Sequence, residues 1–103
     1  MPPKPKLLDP IHPGEILIED FMKPLGVSQN RPARELDVNP ARVSDIVHGR
    51  ASISAAMELR LGRFFGTSAE FWINLQSGYD LRLARRRDGE KIEARVRPLE
   101  RAA

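Results

Sequence analysis

Apolar residues recur at helical spacing along most of this chain, and cap or turn residues interrupt them at short intervals. His12-Pro13-Gly14-Glu15 opens the first helix. Pro13 suits a first-turn position, where its missing N–H is no loss, and Glu15 faces the positive end of the dipole. Ile16, Leu17, Phe21 and Met22 give that helix one apolar face, and Pro24 stops it near Lys23. Ser28 reads as the N-cap of a second helix that runs to Leu36. Asn39, with Pro40 in the first position, caps a third that ends at His48, before Gly49. Ser54 caps a fourth helix through Met57, Leu59, Leu61, Phe64 and Phe65, closed by Gly66. Thr67-Ser68-Ala69-Glu70 reads as a capping box that opens a long fifth helix. There Trp72, Leu75, Tyr79 and Leu83 fall on one stripe.

The flanks differ from this body. Residues 1–10 hold four prolines and no apolar period, which predicts an extended N-terminal arm. After Arg87, Asp88-Gly89 is a turn signal, and Ile92, Ala94 and Val96 alternate with charged residues up to Pro98. That pattern predicts one short β-strand, which needs a partner because a lone strand is not stable. The expected architecture is all-α: five helices in one domain over residues 11–87, with a basic tail over residues 88–103.

Composition narrows the chemistry. The chain has 103 residues and no cysteine, which excludes disulfides, thiolate metal sites and a cysteine nucleophile and fits a reducing cytoplasm. No apolar run approaches the roughly 20 residues that span a bilayer, so no membrane association is expected. Neither of the two histidines stands in an acid-and-nucleophile pattern, so an enzyme is not expected, nor is any metal or cofactor. His12 more naturally orders the first helical turn than binds a metal. The net charge of +3 is unevenly spread. Residues 1–81 carry 9 Lys and Arg against 10 Asp and Glu, whereas residues 82–103 carry 8 against 4. Basicity therefore belongs to the tail, where Arg85-Arg86-Arg87 reads either as a solvated face or as a contact for phosphate or a protein partner.

Two short helices joined by a tight turn over residues 28–48 make a helix-turn-helix, which presents the first residues of its second helix to base edges in the major groove. Small Ala33 lies where the two helices cross. Val38, Val43 and Ile46 face inward, which leaves Asn39, Ala41, Arg42, Ser44, Asp45 and His48 outward. Gln29, Arg31 and Arg50 flank the motif, where they would hold phosphates and set register. Arg42 is the long basic residue of the reading turn and is expected to meet a guanine edge. Trp72, Leu75, Tyr79 and Leu83 offer an apolar stripe for a two-fold dimer, which suits two half-sites on DNA.

Four segments carry a family resemblance: His12-Pro13-Gly14-Glu15-Ile16-Leu17, Pro24-Leu25-Gly26-Val27-Ser28-Gln29-Asn30, Asp45-Ile46-Val47-His48-Gly49-Arg50, and the run from Phe65 to Gln76, FGTSAEFWINLQ. Over roughly residues 11–85 the chain resembles the XRE/Cro-like (λ-repressor-like) helix-turn-helix family, and within it the HigA-type, VapI-like antitoxins. The resemblance implies a dimeric protein that binds double-stranded operator DNA and represses its own operon. It also implies a HigB-type toxin as partner, a ribosome-dependent mRNA endonuclease that the antitoxin neutralises. A stand-alone regulator of the same fold, without a toxin, is the alternative.

Three positions depart from the family pattern. Pro32 stands inside the first motif helix and is expected to tighten or shift its first turn without abolishing it. Asp37 replaces the usual turn glycine, where positive φ is expected. Glu58 replaces a small residue in the fourth helix and, if buried, needs a partner.

Overall fold

His12, itself extended, starts the first helix. In a computed structural model, which describes residues 9–28 and 30–100, the His12 Nδ1 accepts a hydrogen bond from the Gly14 N–H at 2.9 Å. Helix α1 (Pro13–Ile16) follows, with Pro13 in its first turn. It passes directly into a π-helical segment, Leu17–Met22. The apolar face was expected on an α-helix. The wider turn, with the Lys23 N–H donating to the Ile18 carbonyl, sets residues five apart one above the other. Leu17 and Met22 thereby both enter the core, each 1% exposed.

Helix α2 (Asn30–Glu35) contains the buried Pro32. Pro32 is its third residue, where an N–H has no intrahelical acceptor, so the ring removes no hydrogen bond. The turn into helix α3 (Pro40–Val47) passes through Asp37 at φ 57, the left-handed conformation expected there. Asn39 caps α3, its Oδ1 accepting from the Ala41 N–H. Helix α4 (Ala55–Phe65) is capped by Ser54 and ends at Gly66, φ 73. Its Glu58 is buried, and burial holds the carboxyl above the ordinary range of its kind. No hydrogen bond or ion pair meets that carboxyl among the described residues; its oxygens keep contact with solvent instead of a partner.

Helix α5 (Ala69–Arg95) is 27 residues long, about 40 Å, and stretches the molecule to 55 × 41 × 22 Å. Two expectations are corrected on it. Its cap is Ser68, whose hydroxyl accepts from the Phe71 N–H, so the capping box proposed at Thr67 does not form. Thr67 Oγ1 instead accepts from the Trp72 indole at 2.8 Å. The strand expected over residues 92–96 is also absent. The helix runs through Asp88-Gly89 and ends at Val96, which is extended. Each added residue finds an acceptor one turn back, which a lone strand lacks. Pro98 then disfavours helix at the residue before it. No described helix is long and apolar enough to cross a membrane.

The core is formed by Leu17, Met22, Ala33, Leu36, Val43, Ile46, Ile53, Met57, Leu61 and Trp72. Val43, Ile46 and Ala33 face inward as expected, all fully buried, while Val38 packs half-buried at the edge. Gly14 is buried where α1 meets α3: a Cβ there would lie 1.8 Å from the Ile46 carbonyl oxygen. Gly14→Ala must therefore separate the two helices, and a loss of about 3 kcal/mol is expected in urea unfolding.

His12 adds a pH dependence. Its ring also hydrogen-bonds the Ala51 backbone and packs edge-on against Tyr79, centroids 4.9 Å apart. Burial lowers its pKa below the ordinary 6.5, and the Nδ1 cap needs the neutral ring. The stabilisation is thus complete above pH 6.5 and is lost as pH falls through the depressed value. Denaturant midpoints should drop from pH 7.5 to 5.5 in the wild type, and His12→Asn, which keeps a cap, should flatten that drop.

Candidate nucleic-acid interface

The turn Asn39-Pro40-Ala41-Arg42 is exposed, while Val43 and Ile46 anchor the other side of α3. A cap at each end fixes the helix. Asn39 serves the first turn, and Gly49, at φ 73, lets the chain leave after His48. Asn39, Ala41, Arg42, His48 and Arg50 are exposed, and Ser44 and Asp45 half-buried, along one side of α3. Arg31, exposed on α2, stands beside them in the motif. Gln29 lies outside the described residues.

Local bonds decide which of these groups are free. Arg31 pairs with Glu35 at 3.2 Å, one helical turn along. Arg50 pairs with Asp45 at 3.1 Å and reaches the Ser44 hydroxyl at 3.4 Å. Asp45 is thus already occupied by a guanidinium and does not stand as a bare acceptor. The His48 Nδ1 lies 2.7 Å from the Ser44 carbonyl, which ties the ring to the end of its own helix. Arg42 Nη2 donates to the Ser54 hydroxyl at 2.9 Å, so its side chain leans across to α4.

The connection from α3 to α4 is held by a residue that the apolar spacing does not mark. Gln76, 6% exposed on α5, accepts from the Ile53 N–H at 2.8 Å and donates to Asp80 Oδ1 at 3.0 Å. A buried backbone donor in a loop has to find an acceptor, and this amide supplies it across 23 residues of sequence. Only the fold brings the two together. The single sequence signal is a glutamine on the inward side of an otherwise apolar stripe.

The stripe proposed for dimerisation is corrected in part. Trp72 is fully buried, with Phe21, Phe65 and Phe71 around it at centroid distances of 5.0, 6.3 and 5.1 Å, and is not available to a partner. Leu75 packs half-buried on the same core, and Tyr79 is held by His12. Leu83 alone of the four is exposed, together with Leu81 just before it and Ile92 and Val96 farther along.

No protein-family model matches the chain. Whole-chain comparisons do find relatives. Virulence-associated protein I of Dichelobacter nodosus is 47% identical over 74 residues, 72% of this chain and 68% of the relative. Antitoxin HigA-1 of Vibrio cholerae is 31% identical over 87% of this chain and 84% of its own length. The solved structure of the Pseudomonas aeruginosa antitoxin HigA with the higBA promoter superimposes with a TM-score of 0.86 at 48% identity, covering 88% of this chain and 99% of that one.

If Gln76 holds the loop, Gln76→Leu leaves the Ile53 N–H buried without an acceptor. A loss of about 1–3 kcal/mol is expected, with hydrogen exchange at the Ile53 amide accelerated more than at the core amides of α4.

Proposed function

The chain belongs to the HigA-type antitoxins of the helix-turn-helix DNA-binding proteins, and from that membership we propose that it is the antitoxin of a type II toxin–antitoxin module. It binds its own operator as a dimer, represses its operon and neutralises a HigB-type mRNA endonuclease in the cytoplasm. The observation that carries this reading is the exposed first turn of α3, capped by Asn39 and held by buried Val43 and Ile46, on a chain 48% identical to an antitoxin solved with promoter DNA. Asn39, Ala41, Ser44 and Asp45 lie toward the bases, while Arg31 and Arg50 meet phosphates.

Charge supports a dimer. Residues 28–50 carry four arginines against Glu35, Asp37 and Asp45, too little positive charge for strong binding through phosphates alone. Paired half-sites make up the difference. The second half of α5 offers a surface for the pairing: Leu81 and Ile92, eleven residues and about three turns apart, share one face of a solvated helix. The toxin is bound by a preformed surface, because packed helical elements already form the described body. The N-terminal arm and the basic tail contribute to it.

Co-expression with the product of the neighbouring gene, which this reading requires to be a small basic protein, tests the reading. The expected result is co-purification of the two chains, rescue of growth, and protection of two half-sites upstream of the operon. Protection without capture of the neighbour identifies a stand-alone regulator. A monomer by light scattering at micromolar concentration overturns the dimer.

A further inference from the structure

A cleft of about 340 Å³ lies between α3 and α4. Asn39, Arg42, Ser54 and Arg60 line it over an apolar floor of Val38 and Met57. Asn39 caps α3 and Ser54 caps α4, so the positive ends of two helix dipoles open on the same space. No acidic side chain lines it.

Its two guanidinium groups are also uncompensated. Arg42 donates to the neutral Ser54 hydroxyl at 2.9 Å, and Arg60 to the Ala56 carbonyl at 3.3 Å. Among the described residues neither forms an ion pair, whereas Arg31 and Arg50 each hold a carboxylate. Recruiting Arg31 or Arg50 to an anion means breaking an ion pair; Arg42 and Arg60 give up only a hydrogen bond to a neutral oxygen. The cavity sits against the exposed first turn of α3. When that turn enters a major groove, the anion within reach is the DNA backbone.

We propose that Arg42 and Arg60 form a clamp for one backbone phosphate of the operator, with Ser54 as the positioning residue that holds Arg42 in the cavity. The proposal rests on the operator-binding reading above and gives Arg42 a different part in it. A guanidinium turned onto Ser54 fixes the position of the duplex and does not read a guanine edge. Base discrimination falls to Asn39, Ala41 and Ser44, and to Asp45 only once Arg50 has left it for a phosphate. Ser54 then couples two tasks, since its hydroxyl also accepts from the Met57 N–H to start α4.

The test measures dissociation constants of the full chain for its operator duplex and for a scrambled duplex over a range of salt. Arg42→Ala and Arg60→Ala should each weaken both duplexes by the same factor, about tenfold per half-site. Each should also make the salt dependence shallower, by about one unit of log–log slope for every phosphate charge that is no longer neutralised. Arg42→Lys should restore most of the binding, because a point charge serves a phosphate but not a bidentate base contact. Ser54→Asp keeps the α4 cap but pairs Arg42 with a carboxylate. It should weaken both duplexes while the melting temperature holds. The clamp is overturned if Arg42→Ala weakens the operator alone and lysine fails to restore it, or if Arg60→Ala changes neither duplex. A wild-type chain that binds both duplexes alike overturns the operator reading instead, and equal losses in the two alanine variants then still support the clamp. A chain that binds neither overturns both.

Discussion

Between α1 and the recognition helix, Gly14 brings backbone against backbone, so close that a Cβ would lie 1.8 Å from the Ile46 carbonyl oxygen. Much of the placement of the exposed first turn of α3 follows from that contact. With α1 laid on α3, the His12 ring reaches the Ala51 backbone and Tyr79, and the N-terminal end of the fold is tied to both the α3–α4 loop and α5. Recognition-helix orientation is therefore set from behind, by α1 and α5, and not only by its motif partner α2. A two-helix motif would be free to rock. Here the Gln76 amide fixes the loop that follows α3, and the glycine contact fixes its last turn.

Charge is arranged along the same line. Where arginines stand beside acids on the motif, at Arg31–Glu35 and Arg50–Asp45, the ion pairs are solvent-exposed and contribute little stability. Their effect is to lower the cationic field of the surface. Arg42 and Arg60, which hold no acid among the described residues, both open on the cavity between α3 and α4. Unpaired positive charge is thus concentrated at a point where two capped helices begin.

The long fifth helix has two halves with different physics. Its first part is core: Trp72 is enclosed by aromatic rings and tethered by Thr67, and Gln76 is buried beside it. From Leu81 onward the same helix is largely solvated, with an ion pair from Arg86 to Asp9 at 2.6 Å across its side. Continuity between the halves means that anything bound on the outer part is rigidly related to the recognition helix.

Helix positions were legible in the sequence because they depend on local chemistry. Asn39 and Ser54 cap where expected, Gly49 and Gly66 turn with positive φ, and Asp37 takes the left-handed conformation its place in the turn requires. Each of these involves residues within one helical turn of one another. The family was legible for a related reason: HPGEIL and FGTSAEFWINLQ combine a cap, a close-approach glycine and a core tryptophan in a fixed order. Tertiary structure decided the rest. Period-2 alternation over residues 92–96 could not make a strand without a neighbouring edge, so the preceding helix ran on. Period-3.6 spacing placed Trp72 on a stripe but could not say whether that stripe met a partner or its own core. Gln76, Arg42 and Ser54 are ordinary polar residues until the fold brings a buried N–H to one and a shared cavity to the others. Local hydrogen bonds are specified by neighbours in the chain, whereas burial and long-range pairing depend on what lies across the gap.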